Sequence, residues 1–325
     1  MAIEAFLILV ISTLILSKSA SLVVDNASKL ARFFRISTLA VGMLLIAVST
    51  SLPELSVSVI SSAANEGAIA AGNVFGSNIA NILLILGLGA FLYGFKVSKD
   101  NLADLALVLL LTTIISAYII FHMQVFGSAL GFLEGLLLLL IAAWYAWRML
   151  SKKHIEDGNG EKQMSKKEGM AAFMLFCGGI VAVLISSSFV VDSAVHLAEI
   201  LGLAKSFIGA TVIAIGTSLP ELTIDLQALR KKQYGLALGD AIGSNMLNIT
   251  LVLGAGAAIS PIFVQLPVFV VALLFAVVAN MAFFYIAVTK KAFGKLAGVA
   301  MLALYAIYLA AIFFVQLGEI APAIK

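Results

Sequence analysis

The sequence predicts an all-α membrane protein in which ten transmembrane helices form two inverted five-helix repeats. Composition, the length of the hydrophobic runs and an internal repeat predict this class. Of the 325 residues, 62% are hydrophobic and 11% are charged, whereas a soluble domain carries about 25% charged residues. Transmembrane β-strands would alternate over about ten residues, and these runs are longer. The chain is therefore expected to cross a bilayer repeatedly as helices.

Ten hydrophobic runs have about the 20 residues that a helix needs to cross the hydrocarbon core. The predicted spans are 2–23, 37–62, 69–93, 102–122, 127–150, 169–195, 204–228, 235–258, 266–288 and 294–317. The second, third, seventh and eighth spans contain Gly, Ser, Pro or Asn. We expect these four spans to be broken or bent.

The chain divides into two similar halves. Residues 1–150 form the predicted first five-helix repeat, the polar segment 151–168 is a linker, and residues 169–325 form the second repeat. Adding 167 to a position gives its partner, so that Gly42 matches Gly209 and Glu54 matches Glu221. Because each half has an odd number of spans, the second half is expected to insert upside down, with a site near the midplane between the repeats.

The basic residues predict the orientation. Except for Lys205 and Lys325, every Lys and Arg falls in one set of alternate connections. The positive-inside rule assigns that side to the cytoplasm. The sequence therefore predicts a multi-pass protein of the cell membrane with both termini extracellular and the linker 151–168 cytoplasmic. The net charge of +3 is then a signal of topology and does not indicate a nucleic-acid partner.

A first motif, Thr-Ser-Leu-Pro-Glu, occurs twice within predicted spans. A carboxylate costs a few kcal/mol at that depth, so it is rare without a function. A proline there frees a carbonyl one turn back, and Thr and Glu four residues apart share a helical face. Mixed hard oxygens suit Ca²⁺. The candidate residues are Ala47, Thr50, Ser51 and Glu54, with Ala214, Thr217, Ser218 and Glu221.

A second motif, Gly-x-x-x-Gly-Ser-Asn-x-x-Asn, follows each copy of the first after the same interval. Its glycines predict close helix packing. Its Ser and last Asn face one way and add oxygens without charge, whereas the first Asn is expected to cap a helix break. The candidate ligands are Ser77 and Asn81, with Ser244 and Asn248; the expected caps are Asn78 and Asn245.

The paired motifs resemble the α-repeats of the sodium/calcium exchangers of prokaryotic type, within the wider cation/calcium antiporter superfamily. The resemblance covers nearly the whole chain and implies alternating access around one cluster. It implies that Ca²⁺ is held by Glu54, Glu221, Thr50 and Thr217. It implies that Na⁺ uses the same glutamates with Ser77, Ser244, Ser51, Ser218 and the carbonyls of Ala47 and Ala214, and that Asn81 and Asn248 form the central polar pair.

The chain departs from the family pattern at two positions. Ser49 stands where the family usually has glycine, and Asn248 stands where potassium-dependent members usually carry aspartate. The cluster then has two formal negative charges, which balance one Ca²⁺ and argue against K⁺ co-transport. Asp225 has no acidic partner at the matching position, which is Ser58; it either attracts cations to an inner mouth or has a packing role.

These residues favour an antiporter that exchanges Na⁺ for Ca²⁺, with no cofactor and no enzymatic activity, functional as a monomer in the lipid bilayer. One alternative is a Ca²⁺/H⁺ antiporter, in which the glutamates themselves become protonated. A cation channel and an intramembrane protease are further alternatives. The channel needs a continuous pore, and the protease would usually use aspartates.

Overall fold

The computed structural model describes residues 2–126, 129–151, 164–200, 216–263 and 266–320. Most of them are helical. The helices are α1 Ala2–Phe34, α2 Thr38–Thr50, α3 Leu52–Ala63, α4 Gly67–Leu92, α5 Lys99–Phe126, α6 Phe132–Ser151, α7 Lys166–Ile200, α8 Leu219–Arg230, α9 Tyr234–Ile259, α10 Leu266–Thr289 and α11 Lys295–Ile320. Two short strands, β1 Phe95–Lys96 and β2 Ala292–Phe293, pair antiparallel.

Eight of the described helices are long and apolar enough to cross a membrane, and the pair α2–α3, bent by 45°, raises this number to nine. The predicted seventh span, 204–228, begins within 201–215, outside the described residues, and α8 is its described part. The helix α1 extends past its predicted end at residue 23 to Phe34. The extension is amphipathic rather than hydrophobic, since it buries Ala27 and Leu30 but also carries charged residues.

The chain folds into two compact units, and each takes residues from both sequence halves. Unit 1 contains residues 1–50 and 150–240, and unit 2 contains 51–149 and 241–325. In unit 1, α1 packs along α7, and α8 packs against α1 and the end of α2. In unit 2, α4 packs against α3, α10 and α11, while α5 packs against α10. A stack of Phe95, Phe283 and Phe293 is buried beside the strands.

The sequence repeat reappears in the helix bounds. The bounds of α3 and α4 recur 167 residues later in α8 and α9. The turns between these helices also match, because Asn65 (φ 62°) and Lys232 (φ 59°) both adopt the left-handed conformation that commonly ends a helix. The two stretches that carry the motifs therefore repeat in local structure as well as in sequence.

The third and eighth predicted spans, which were expected to be broken or bent, are not broken. Both α4 and α9 are continuous, but each contains one π-helical turn, Asn81–Ile85 and Asn248–Val252. Each π turn begins at the last Asn of the second motif. A π turn accommodates an extra residue without ending the helix and is frequent at functional sites. The polar residues in these spans thus alter the hydrogen-bond pattern without interrupting the helix.

The second predicted span is broken, as expected, and the break lies at Ser51. Helix α2 ends at Thr50 and α3 begins at Leu52, with Pro53 in its first turn. Proline lacks an N–H group, so it fits the first turn of a helix but not the interior. Helix α8 begins in the same way, with Ser218 before it and Pro220 in its first turn.

Candidate cation site

Each glutamate of the first motif lies in the first turn of a helix that starts inside a span. Glu54 is in the first turn of α3 and Glu221 in that of α8, and each is 1% exposed. The positive end of the helix dipole favours a carboxylate there. In unit 2, the hydroxyl of Ser77 donates to Glu54 Oε1 at 3.4 Å, which links the two motifs of the first repeat.

Four asparagines of unit 2 form a reciprocal network. Asn78 Nδ2 donates to the carbonyl of Asn245 at 3.1 Å, and Asn245 Nδ2 donates to that of Asn78 at 3.0 Å. Asn81 Nδ2 donates to Asn245 Oδ1 at 3.0 Å, and Asn248 Nδ2 donates to Asn78 Oδ1 at 3.1 Å. Every bond joins residues from the two repeats and has a matching bond. The expectation that Asn78 and Asn245 cap helix breaks is wrong, because both lie inside continuous helices.

This network fixes the direction of the remaining amide oxygens. Since Asn81 and Asn248 donate through Nδ2, the oxygen Oδ1 of each points elsewhere. Both oxygens are buried, as is Ser51 Oγ, and none of the three has a hydrogen-bond partner among the described residues. Buried polar atoms usually have a partner, so an oxygen left in this way is suited to bind a cation.

In unit 1, Thr50 connects the first motif of one repeat to the second motif of the other. Its hydroxyl lies 3.0 Å from Asp240 Oδ1, 3.2 Å from the Ile46 carbonyl and 3.4 Å from that of Ala47. Helices α2 and α9 cross very closely here, because a Cβ atom on Gly42 would lie 2.9 Å from Gly239 Cα. Gly239 thus provides the predicted close approach. Apart from its chain neighbours and the backbone of its own helix, a Cβ placed on Gly72 or Gly76 has no described atom within 4 Å.

The sequence analysis missed Asp240 and gave Asp225 no acidic partner. Both side chains are fully buried in unit 1, and Asp225 interacts with Asp240 and, more weakly, with Glu221. Asp225 therefore has an acidic neighbour, which is not its repeat partner but a residue of α9. The sequence analysis counted only the two formal negative charges of the glutamates, and this count omits the buried acids Asp225 and Asp240. The missed signal was an asymmetry, since Asp240 matches the neutral Asn73.

The two units divide the predicted site residues between them. Those in unit 1 are Ala47, Thr50, Thr217, Ser218 and Glu221, and those in unit 2 are Ser51, Glu54, Ser77, Asn81, Ser244 and Asn248. All are buried except Thr217, which is half-buried. Ala214 lies outside the described residues. Of the acids left unassigned, Glu134 accepts a hydrogen bond from the Gly131 amide at 3.0 Å, which makes it a cap at the start of α6.

A family defined by sequence accounts for this pattern of motifs. The sequence profile described as sodium/calcium exchanger protein matches residues 4–150 and 171–314. The chain belongs to the sodium/calcium exchanger family. It is 33% identical to the inner membrane protein YrbG of Escherichia coli over 78% of this chain and 79% of that protein. It is 29% identical to the sodium/calcium exchanger MaX1 of Methanosarcina acetivorans over 80% of this chain and 84% of that protein.

A solved structure shares the fold of this member of the exchanger family. The sodium–calcium exchanger NCX_Mj, soaked with 10 mM Na⁺ and zero Ca²⁺, matches with a TM-score of 0.83 at 27% identity, over 95% of this chain and 99% of that chain. The protein is therefore a cation/calcium antiporter of the membrane. Its family consists of transporters rather than enzymes.

Proposed function

We propose that this exchanger transports Ca²⁺ in exchange for Na⁺ by alternating access. The observation that carries the proposal is the reciprocal asparagine network, which holds two buried amide oxygens, Asn81 Oδ1 and Asn248 Oδ1, without described partners. Oxygens of this kind, added to buried glutamates, form a hard-oxygen set that suits Ca²⁺. Na⁺ uses the same class of ligand, so the two ions compete for one set of oxygens.

The proposed ligand set keeps the roles implied by the family resemblance. The two glutamates neutralise Ca²⁺ together with the hydroxyls of the paired threonines, and the paired serines and carbonyls complete the Na⁺ positions. The full set is Glu54, Glu221, Thr50, Thr217, Ser51, Ser218, Ser77, Ser244, Asn81, Asn248, Ala47 and Ala214. Shared oxygens cannot hold Ca²⁺ and a full Na⁺ load together. An unoccupied cluster would leave carboxylates without a bound cation in the membrane, which disfavours movement without a cargo ion.

The proposed architecture is ten spans in two inverted repeats, 1–150 and 169–325, with the site at the midplane. Two findings support it: the helix bounds that recur after 167 residues, and the matching bonds between repeats in the asparagine network. Matching bonds in both directions are typical of two segments related by a two-fold axis. Because each motif occurs twice in one chain, we expect the monomer to be functional.

Sodium is favoured over protons as the coupling ion. The relatives MaX1 and NCX_Mj are both named sodium/calcium exchangers. His122 lies 3.9 Å from Glu134, and neither residue belongs to a motif, which favours Na⁺ over a histidine proton relay. A Ca²⁺/H⁺ antiporter is the alternative, because glutamates can carry protons themselves.

The decisive experiment is ⁴⁵Ca²⁺ uptake into proteoliposomes that contain the purified protein. An outward Na⁺ gradient at fixed and equal pH is expected to drive uptake against the Ca²⁺ gradient. A pH gradient without Na⁺ is expected to drive none. Uptake that follows the pH gradient and ignores Na⁺ would establish the Ca²⁺/H⁺ alternative. Flux in both directions without coupling to either gradient would establish a channel.

A further inference from the structure

Unit 2 contains a polar cavity beside the asparagine network, most of it lined by residues that the proposed cation site does not use. Its volume is about 10 Å³, which is roughly the space that one water molecule requires. Helices α5 and α10, which pack together, contribute most of the lining. The polar side chains that line the cavity are Asn78 and Asn245 of the network, Thr112, Thr113 and Ser116 of α5, and Asn280 of α10.

Two pairs of these lining residues are repeat partners that contact each other. Asn78 and Asn245 are 167 positions apart, and each donates to the backbone carbonyl of the other. Thr113 and Asn280 are also 167 positions apart, and Asn280 Nδ2 donates to Thr113 Oγ1 at 2.8 Å. In a two-fold arrangement, a residue meets its own partner only near the axis. Both pairs therefore mark the proposed axis between the repeats, and the cavity that they line lies along it.

The hydrogen bonds of α5 fix the orientation of the Asn280 amide. The hydroxyls of Thr112 and Thr113 donate to the Leu109 carbonyl at 3.0 Å and 2.8 Å. A hydroxyl has one proton, so Thr113 accepts from the Asn280 nitrogen. The oxygen Oδ1 of Asn280 is on the other side of the amide, and it accepts no hydrogen bond from the residues that the structure describes. Buried polar groups usually have a partner, so the lining of the cavity presents an acceptor that requires a donor.

This donor is better supplied by water than by an ion. Among the described residues that line the cavity, none is charged, and a cation is costly to bury without a negative charge. A buried water makes about three hydrogen bonds and can both donate and accept. The network offers donors, because each amide nitrogen carries two N–H groups and the bonds between the repeats use one on Asn78 and one on Asn245.

We propose that the cavity binds one water molecule, which donates to Asn280 Oδ1 and accepts from the amide nitrogen of Asn78 or Asn245. Asn280 is then a positioning residue, because the water holds the amides that orient Asn81 and Asn248. It acts on the cation site through the network, without touching the ion. The effect of this positioning on Ca²⁺ rests on the proposed function, whereas the water site does not.

Crystal structures of the full-length protein, at a resolution that shows ordered waters, test the water site. The wild type is expected to show one water about 2.5–3.0 Å from Asn280 Oδ1. Ala276 lines the cavity, so Ala276→Leu fills the space without removing a polar group and is expected to lose the water. Ala282→Leu, at a half-buried position of α10 outside the lining, is the matched control and should keep it.

Transport kinetics test the positioning role. Asn280→Leu and Ala276→Leu are each expected to raise the half-saturating Ca²⁺ concentration of ⁴⁵Ca²⁺ exchange about fivefold, the effect of losing one hydrogen bond, with the maximal rate unchanged. Asn280→Thr keeps an oxygen that can accept a hydrogen bond, as at the matching Thr113, and should remain close to wild type. Ala282→Leu should not change the half-saturating concentration.

The outcomes separate this proposal from the proposed function. A wild-type structure without the water, or with contacts shorter than hydrogen bonds that mark an ion, refutes the water site whether or not the variants fold. If the water is present but its loss lowers only the maximal rate, or leaves Ca²⁺ exchange unchanged, the positioning role is refuted. If the wild type holds the water but does not exchange Ca²⁺ for Na⁺, the proposed function fails and the water site stands. Should Asn280→Leu not fold, Ala276→Leu is held to the same criterion.

Discussion

At the scale of single residues, the four asparagines of the network fall into two pairs. One pair is hydrogen-bonded at both ends of the amide, and the other pair keeps an amide oxygen without a described partner. Asn78 and Asn245 each use both ends of the amide for bonds between repeats. Asn81 and Asn248 use only the nitrogen. The first pair therefore sets the orientation of the second, and the site depends on residues that need not touch an ion.

The glutamates are expected to be indispensable for Ca²⁺. Glu54→Gln and Glu221→Gln each replace a buried carboxylate by a neutral group of the same shape, which should lower Ca²⁺ exchange at least about 100-fold, as expected for losing about 3 kcal/mol. ⁴⁵Ca²⁺ exchange in proteoliposomes measures it, with Glu66→Gln, an exposed residue, as control. Asn81→Ala should be milder, because it removes no charge. Normal exchange in either glutamine variant would eliminate the assigned site.

The reciprocal network predicts that truncating Asn78 and truncating Asn245 destabilise the fold by equal amounts. Asn78→Ala removes the partners of the Asn245 carbonyl and of Asn248 Nδ2, and Asn245→Ala removes the matching pair. Each unsatisfied buried group costs about 1–3 kcal/mol, so both variants should melt at a lower temperature by similar amounts. The double variant should be less than additive. Thermal unfolding in detergent checks this, with Asn101→Ala near the start of α5 as control; strongly unequal shifts would contradict the reciprocity.

At the scale of elements, the close crossing of α2 and α9 and the π turns shape the site. The crossing at Gly42 and Gly239 brings backbone against backbone in the helix pair that Thr50 and Asp240 also join. The π turns of α4 and α9 each place an asparagine at their start, inside a helix that continues. The glycine crossing thus sets the distance between the two helices, and the π turns alter the backbone beside the polar side chains.

Gly42→Ala and Gly239→Ala are expected to disrupt this crossing. The added methyl group would overlap the carbonyl of Leu236 or of Leu39, and overpacking of this kind costs about 1–3 kcal/mol. The yield of monodisperse protein and its melting temperature should both fall. Gly178→Ala, in an exposed position on α7 without close neighbours, is the control. A wild-type melting temperature for both variants would show that the helices can separate without loss.

The sequence predicted most helix bounds because hydropathy reports them directly. The predicted span 266–288 is the helix Leu266–Thr289, and the proline motif correctly predicted the break before Leu52. Hydropathy could not reveal the amphipathic end of α1 or the hydrogen-bond register of a π turn. Asp240 was missed because the repeat pairs it with Asn73, so it did not belong to the duplicated pattern. The close neighbour of Asp225 could come only from the fold.

At the scale of the whole molecule, the distribution of basic residues predicts the sidedness of every connection. The predicted cytoplasmic side carries the linker 151–168, and the extracellular side carries the connection between the eighth and ninth spans. The acyl-chain region lies between them. The direction in which Na⁺ and Ca²⁺ gradients act on the protein depends on this orientation.

Cysteine labelling in intact cells tests the orientation. In a Cys177→Ser background, Phe263→Cys, at a 68% exposed position between α9 and α10, is expected to react with a membrane-impermeant maleimide from outside. Gly158→Cys in the linker is expected to react only after the membrane is opened. Reaction of Gly158→Cys in sealed cells would invert the orientation, and equal reaction of both in sealed cells would refute the span count.

The asparagine network also bears on how such a chain could have arisen. Every one of its bonds crosses from one copy of the repeat to the other, and none joins asparagines of the same copy. A lone ancestral half would expose these amides to lipid, whereas two identical halves could satisfy one another as a self-complementary homodimer. Positions outside these shared bonds need not match between the copies, and Asp225 and Asp240 indeed correspond to the neutral Ser58 and Asn73.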